Sequence, residues 1–275
     1  MNSDFPIEEI HYQTNEFRPS VYGIKIPGTR GKLLATLYNS GGAGLHPTVL
    51  LLHGIPGNEQ NGDIAQALRR NGFHVLTFHY SGCFGSDGNY ALTHNLDDAN
   101  TVLDYILNDK SFGFDKEHIF AVGHSMGGFV CSQITAKRKE IKGAVLMMPC
   151  DIGRIWQIGR ENSFELKRIE NLLEESADWL QGASKEGFLA ELKEHSEEFR
   201  LESLANRLAQ KPILCVEASR DIHTPPCYHC VPLENAIRAE GGTKLKSLSL
   251  ETDHFASDYR LKAAKVVVDF LRDLL

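Results

Sequence analysis

The sequence predicts an α/β fold: a mostly parallel central sheet with helices on both faces and a small helical insertion late in the chain. Three observations carry that expectation. Apolar strand-like runs alternate with amphipathic helical patterns from residue 48 to residue 149. The strands in this alternation are unbroken apolar runs, as in parallel sheets buried on both sides. A charged stretch with no strand candidate, residues 151–208, then interrupts the rhythm, which resumes at residue 211.

The elements follow in order. "VYGIKI" (21–26) and "KLLATLYNS" (32–40) read as strands joined through a Pro-Gly turn. "TVLLLH" (48–53) is a continuous apolar strand, and "IAQALRRNG" (64–72) is an amphipathic helix closed by glycine. The strand "FHVLTFHY" (73–80) leads through a glycine-rich loop to the helix "NLDDANTVLDYILND" (95–109). "IFAVG" (119–123) and "KGAVLMMP" (142–149) are strands on either side of a further helix. Strand, helix, strand at this spacing implies a parallel sheet. After the interruption come the strand in "KPILCVEASRD" (211–221), a helix near 232–240, the strand "KLKSLSLE" (244–251) and a closing amphipathic helix, "LKAAKVVVDFLRDLL" (261–275). The chain therefore divides into a core, 1–150 and 209–275, and a helical cap, 151–208. The cap interleaves Trp156, Phe164, Trp179, Phe188 and Phe199 with charge. It is expected to lie over the strand ends, where open α/β sheets bind ligands, rather than to serve as a peripheral hairpin.

Composition narrows the classes. The chain has 275 residues, 42% apolar and 24% charged, enough for one large domain with an insertion. A net charge of −7 argues against nucleic-acid binding, which needs a basic face. "MNSDFPIEEI" at the start lacks the basic flank and apolar stretch of a secretory leader. No apolar run approaches the roughly 18 residues that span a bilayer. A soluble, cytoplasmic protein is expected. Among six cysteines, Cys131, Cys150 and Cys215 lie in or beside apolar runs, as core thiols do. Cys227-Tyr-His-Cys230 is a lone CxxC with no second pair, and neither His223 nor His229 supplies a finger spacing. These thiols are expected to be structural, with no metal bound.

"IFAVGHSMGGFVC" (119–131) sets Ser125 between Gly123 and Gly127 at the junction of an apolar strand and a helical pattern. That reads as a tight strand-turn-helix elbow that presents the hydroxyl at its apex. The pentapeptide alone is a weak signal. A nucleophilic serine needs a base, and the base needs an orienting acid. Asp221 directly follows the first strand after the cap, and His254 directly follows the next strand. Asp253, Asp151 and His223 compete for these roles. The Met126 amide, next after the nucleophile, is one candidate oxyanion donor. "LLHGIPGNEQ" (51–60) follows an earlier strand, and its His53-Gly54 turn lets the Ile55 amide serve as the second.

On these residues, His53-Gly54-Ile55-Pro56-Gly57, Gly123-His124-Ser125-Met126-Gly127, Asp221 and His254, the chain resembles the α/β-hydrolase superfamily of serine hydrolases across nearly its whole length. Its loop "HYSGCFGSDG" (79–88) looks like a common segment of that family. Where many relatives carry arginine or asparagine, this chain has Ser81. The likeness is greatest to small capped esterases, including cinnamoyl-ester hydrolases. Acylglycerol lipases and aminopeptidase-like members share the Gly-His-Ser-Met-Gly pentapeptide. The resemblance implies a catalytic triad of Ser125, Asp221 and His254 and an oxyanion hole from the Ile55 and Met126 amides. Substrate contacts are expected from His53, Gly54, His124, Trp156 and Trp179. No cofactor is expected. The partner expected is a small-molecule carboxylic ester of a small or medium acyl or aromatic acid, and a homodimer is compatible with the sequence. An amidase or aminopeptidase on the same triad, or a non-catalytic binding protein retaining the fold, are the alternatives.

Overall fold

Residues 17–275 are described by a computed structural model. The reading of the first ten residues lies outside them, as does His11. Eight strands form the sheet: β1 (Ser20–Gly28), β2 (Gly31–Asn39), β3 (His46–Leu52), β4 (His74–Phe78), β5 (Phe114–His124), β6 (Ile141–Met147), β7 (Ile213–Ala218) and β8 (Leu245–Leu250). Their order is β1-β2-β4-β3-β5-β6-β7-β8. The pairs β1/β2 and β2/β4 are antiparallel, and every other pair is parallel. All five residues of β4 and the last five of β3 are buried, as the unbroken apolar runs require. The edge strand β8 instead exposes Lys246, Ser247 and Ser249, whose polarity discourages pairing with another chain.

Successive residues of a strand face opposite sides of the sheet, so β3 feeds two cores. Val49 and Leu51 pack with Ile64, Leu68 and Val267, from α1 (Gly62–Arg70) and α9 (Arg260–Arg272). Leu50 and Leu52 belong to the opposite core, which takes Val102, Phe129 and Leu233 from α2 (Leu92–Asn108), α3 (Met126–Lys137) and α8 (Cys230–Ala239). β5 starts five residues before the apolar run at 119. Its added residues include Asp115, Lys116, Glu117 and His118, whose polarity hides the strand from hydrophobic patterning, and a register shift against β3 separates them from the rest.

The chain steps from β3 to β4 on one side and then crosses back to β5 on the other. The carboxyl ends of β3 and β5 therefore flank a topological switch point, the crevice where open α/β sheets receive ligands. Between β6 and β7 the chain is helical, as expected: α4 (Ile152–Glu161), α5 (Ser163–Ala177), α6 (Lys185–Glu194), a 3₁₀ turn at Leu201–Leu204 and α7 (Ala205–Leu208). Side chains of Asp151, Asn162 and Ser184 accept the first free amides of α4, α5 and α6, which explains where these helices start.

This insertion is fastened to the core at several points. The Glu191 carboxylate accepts the Leu92 amide at 2.9 Å, the Thr93 amide at 3.1 Å and the Thr93 hydroxyl at 2.8 Å. A negative charge is thus placed at the positive end of α2. Gln181 exchanges backbone hydrogen bonds with Gly82 and Tyr90, at 2.9 and 2.8 Å. Ile169, Leu173, Phe188 and Phe199 join the same apolar cluster as the sheet. Among the described residues, no helix is long and apolar enough to cross a membrane.

At the other end of α3, the half-buried Lys211 ammonium donates to the carbonyls of Thr135, Arg138 and Ile141 at 2.7, 2.7 and 2.8 Å. It closes the helix C-terminus and ties the strand β7 to β6. Replacing it with methionine keeps the stem but leaves these carbonyls without their charged donor. Lys211→Met is expected to lower unfolding free energy by about 1.5–3 kcal/mol, read from urea denaturation.

Candidate active site

Ser125 stands at the end of β5 with φ 58° and ψ −122°, a left-handed backbone that a non-glycine residue adopts only under constraint. Its amide donates to Met147 O at 3.0 Å, and its carbonyl accepts from Cys150 N and Gly128 N at 2.9 Å each. The glycines around it answer to space. A Cβ on Gly123 would run into the Gly127 carbonyl, and a Cβ on Gly127 would run into the backbone of Leu52 and His53. The elbow is therefore pressed directly against the end of β3. From that side, Gly54 passes so close that a Cβ there would lie 3.1 Å from Ser125 Cβ. Among the described residues, the amides of Ile55 and Met126 donate to no protein acceptor. Both flank the switch-point crevice, and both stay available to a developing oxyanion.

His254 and Asp221, 33 residues apart in sequence, meet across the ends of β7 and β8: Nδ1 of the imidazole is 2.7 Å from Asp221 Oδ2. The other carboxylate oxygen accepts the amides of His223 and Thr224, each at 2.8 Å. The Thr224 hydroxyl lies 2.8 Å from Asp221 Oδ2 and 3.1 Å from Met148 O. Burial pushes the Asp221 carboxyl up, but the hydrogen bond and pull of His254 and the Thr224 donors outweigh it and hold it at about 2. With Nδ1 committed to Asp221, Nε2 is the nitrogen His254 keeps for the cavity that it shares with Ser125. Among the described residues no hydrogen bond joins Ser125 Oγ to that ring; such contacts are often loose in a site without substrate.

A cavity of about 390 Å³ opens over Ser125, His254, Ile55 and Met126. Its far wall comes from the insertion, through Ile152, Ile155, Ile169, Leu172, Leu173 and Leu192. Trp179 lines the cavity; it is 64% exposed at the rim and stacked on Phe84, ring centroids 6.3 Å apart. Gly54 and His124 line it as well.

The structure corrects two expected substrate contacts. Trp156 is half-buried against the apolar core cluster and is not among the residues lining the cavity. His53 lies beneath the loop, 2% exposed, its Nδ1–H donating to Gly54 O at 2.6 Å and its ring against Tyr80, so it braces the turn and does not line the cavity. Burial drives its pKa down to about 3. His124 touches the cavity but also donates Nε2–H to His254 O at 2.8 Å, which pins the loop that carries His254. Burial, followed by the nearby His254 ring, lowers it to about 3.

The competitors have other work. Asp253 Oδ1 accepts the amides of Phe255 and Ser257 at 3.1 and 2.9 Å and closes its own turn. Asp151 caps α4, and its amide donates to His229 Nδ1 at 2.9 Å. His223 lines the cavity from the Asp221 loop. Ser81, where the family resemblance breaks, anchors its loop on Asp98: amide and hydroxyl reach the two carboxylate oxygens at 2.7 and 3.0 Å. Arg30 approaches the same carboxylate at 3.5 Å. Cys227 is exposed and unbonded, whereas Cys230 is buried against Cys215 and Glu234, with donor atoms all within 4.8 Å of one another. Glu234 is already engaged by Ser247 at 2.6 Å and Arg238 at 3.0 Å. Pattern reading missed that pairing because Cys215 lies on β7, remote in sequence from the CxxC. It missed Glu191 for the same reason, its partners Leu92 and Thr93 being far off in sequence, and Thr224 because a lone threonine carries no pattern of its own.

Comparison with known proteins agrees with this architecture. A family described as alpha/beta hydrolase fold matches residues 47–210. The structure is similar to Est1E from Butyrivibrio proteoclasticus with ferulic acid bound, at 19% identity and TM-score 0.72, covering 91% of this chain and 98% of that one. It is similar to the Pyrococcus furiosus esterase Pf2001 at 17% identity and TM-score 0.67, covering 93% of each chain. An acylaminoacyl peptidase from Pyrococcus horikoshii is similar at 13% identity and TM-score 0.72, over 92% of this chain and 41% of that one. No curated protein matches the sequence.

Because the Asp221 carboxyl is held at about 2, below its ordinary value near 3.9, its contacts stabilise the fold fully above pH 4. That contribution is lost as pH falls through 2. Urea denaturation between pH 5 and pH 2 is expected to show a loss of about 2 kcal/mol that is absent from Asp221→Asn.

Proposed function

The chain belongs to the α/β-hydrolase fold family, and from that premise we propose that it is a serine hydrolase cleaving carboxylic esters through Ser125, His254 and Asp221. The observation that carries the reading is the buried 2.7 Å contact between His254 Nδ1 and Asp221 on the same cavity as a serine with a strained backbone at the apex of its elbow. In this mechanism His254 Nε2 takes the Ser125 proton while the Asp221 carboxylate fixes the tautomer and stabilises the imidazolium that forms. Ser125 Oγ bonds to the ester carbonyl carbon. The negative charge that appears on the carbonyl oxygen is received by the Ile55 and Met126 amides. His254 then protonates the departing alcohol, and the acyl group stays on Ser125. Water, deprotonated by the same imidazole, attacks the acyl-enzyme and releases the acid. Every step uses side chains and amides of this chain.

The helical insertion serves as a cap whose aliphatic wall receives the acyl group and excludes water from the oxyanion. A cavity of about 390 Å³ suits an acid of small or medium size. The ester is a small molecule; the fold's esterase and peptidase neighbours leave amide cleavage as the competing outcome of the test.

A panel of p-nitrophenyl esters set against aminoacyl anilides is expected to show ester turnover dominating. Faster anilide cleavage would favour a peptidase. A fluorophosphonate probe should label the native protein and not Ser125→Ala, whose kcat should fall by about 10⁶. Asp221→Asn should lower kcat by about 10⁴. A loss under tenfold would remove Asp221 from the mechanism.

A further inference from the structure

His229 is 3% exposed, lines the cavity and takes no part in the chemistry above. Its ring is fixed by one hydrogen bond: Nδ1 lies 2.9 Å from the Asp151 amide. A backbone N–H only donates, so Nδ1 must be the unprotonated nitrogen. Burial also disfavours a charged ring and lowers its pKa to about 3. The neutral ring then carries its proton on Nε2, and among the described residues Nε2 has no hydrogen-bond partner. The position is tied to the elbow, since Cys150 N donates to Ser125 O and the next residue, Asp151, holds His229. A lone N–H donor thus stands among apolar cap residues such as Ile152 and Ile155.

Resting on the hydrolase reading, we infer that His229 is a specificity-determining residue, whose Nε2–H, held by the Asp151 amide on Nδ1, donates to an uncharged acceptor oxygen in the non-reacting part of the substrate. A carboxylate is disfavoured there. Glu59, Glu165 and Glu175 line the same cavity, and Arg168 is already paired with Glu165 at 2.9 Å. The favoured substrate is an ester whose carbon skeleton carries a keto or ether oxygen. A donor stripped of water by the bound ester and left unpaired penalises the analogue that lacks the oxygen.

The test pairs each p-nitrophenyl oxoalkanoate, with the keto group walked along the chain, against the alkanoate of equal length. Methoxyalkyl and alkyl esters probe the alcohol side in the same way. At one oxygen position the native enzyme should prefer the oxygenated ester about tenfold in kcat/KM. His229→Asn retains an acceptor for the Asp151 amide but has no donor at the Nε2 position. It should bring that ratio to about one with Tm unchanged. A ratio that survives in His229→Asn, or no preference at any position, overturns the inference. If no ester is turned over, ester hydrolysis itself fails, and nitrogen-15 NMR of the histidines in Ser125→Ala reads His229 independently. The expected signature is a neutral Nε2–H ring whose signal moves more with methyl 4-oxopentanoate than with methyl pentanoate. A proton on Nδ1, an imidazolium, or equal response to the two esters also overturns it. The same NMR comparison decides the matter should His229→Asn fail to fold.

Discussion

The rest of the site depends on one close approach: the backbone of the elbow at Gly123–Gly127 against the end of β3 at Leu52–Gly54. Two strands that are neighbours in the sheet bring two loops into contact, and only glycine leaves room for it. That contact forces Ser125 to a positive φ, which costs of order 1–3 kcal/mol in an isolated chain. The backbone hydrogen bonds around Ser125 and the packed sheet beneath it hold the strain in place. The same approach leaves two amides unpaired, one from each loop. The strained backbone, the two amides and the position of the Ser125 hydroxyl are thus consequences of a single steric arrangement.

Asp221 and His254, the proposed acid and base, obey a different constraint. They stand on loops after β7 and β8, on the far side of β6 from the elbow, and must be carried toward Ser125 by loop geometry. Histidines supply much of that support. His124 pins the His254 carbonyl, His53 braces the turn ahead of Ile55, and His229 ties the Asp221 loop to the start of the cap. Burial keeps each of these supporting rings neutral at physiological pH, since each is depressed to about 3. A neutral imidazole can act as donor at one nitrogen and acceptor at the other without adding a buried charge. Asp221 is the counterpart: it stays ionised because His254 and Thr224 supply donors that outweigh its desolvation.

The cap is bound more firmly than its place as an insertion suggests. Its apolar residues merge into the core of one sheet face, and Glu191 closes the N-terminus of α2. The cavity wall that the insertion supplies is thus built on the same packed core as the sheet.

The sequence by itself determined the alternation of strands and helices, the break at the insertion, and Ser125, Asp221 and His254 as the residues to test. These were legible because hydrophobic periodicity and glycine spacing are local, and because chain order placed each residue just past a strand. The early start of β5 was not legible, since the polar residues 115–118 separate Phe114 from the apolar run. Trp156 and His53 were misread because an aromatic or imidazole in a local pattern does not reveal which way it points. Only tertiary structure decided that Trp156 turns to the core, that Cys230 meets Cys215 and not Cys227, and that Asp98 anchors Ser81. The reason is physical. Local sequence sets backbone propensity, but the direction and partner of a side chain depend on residues brought close by strand order, which no local pattern encodes.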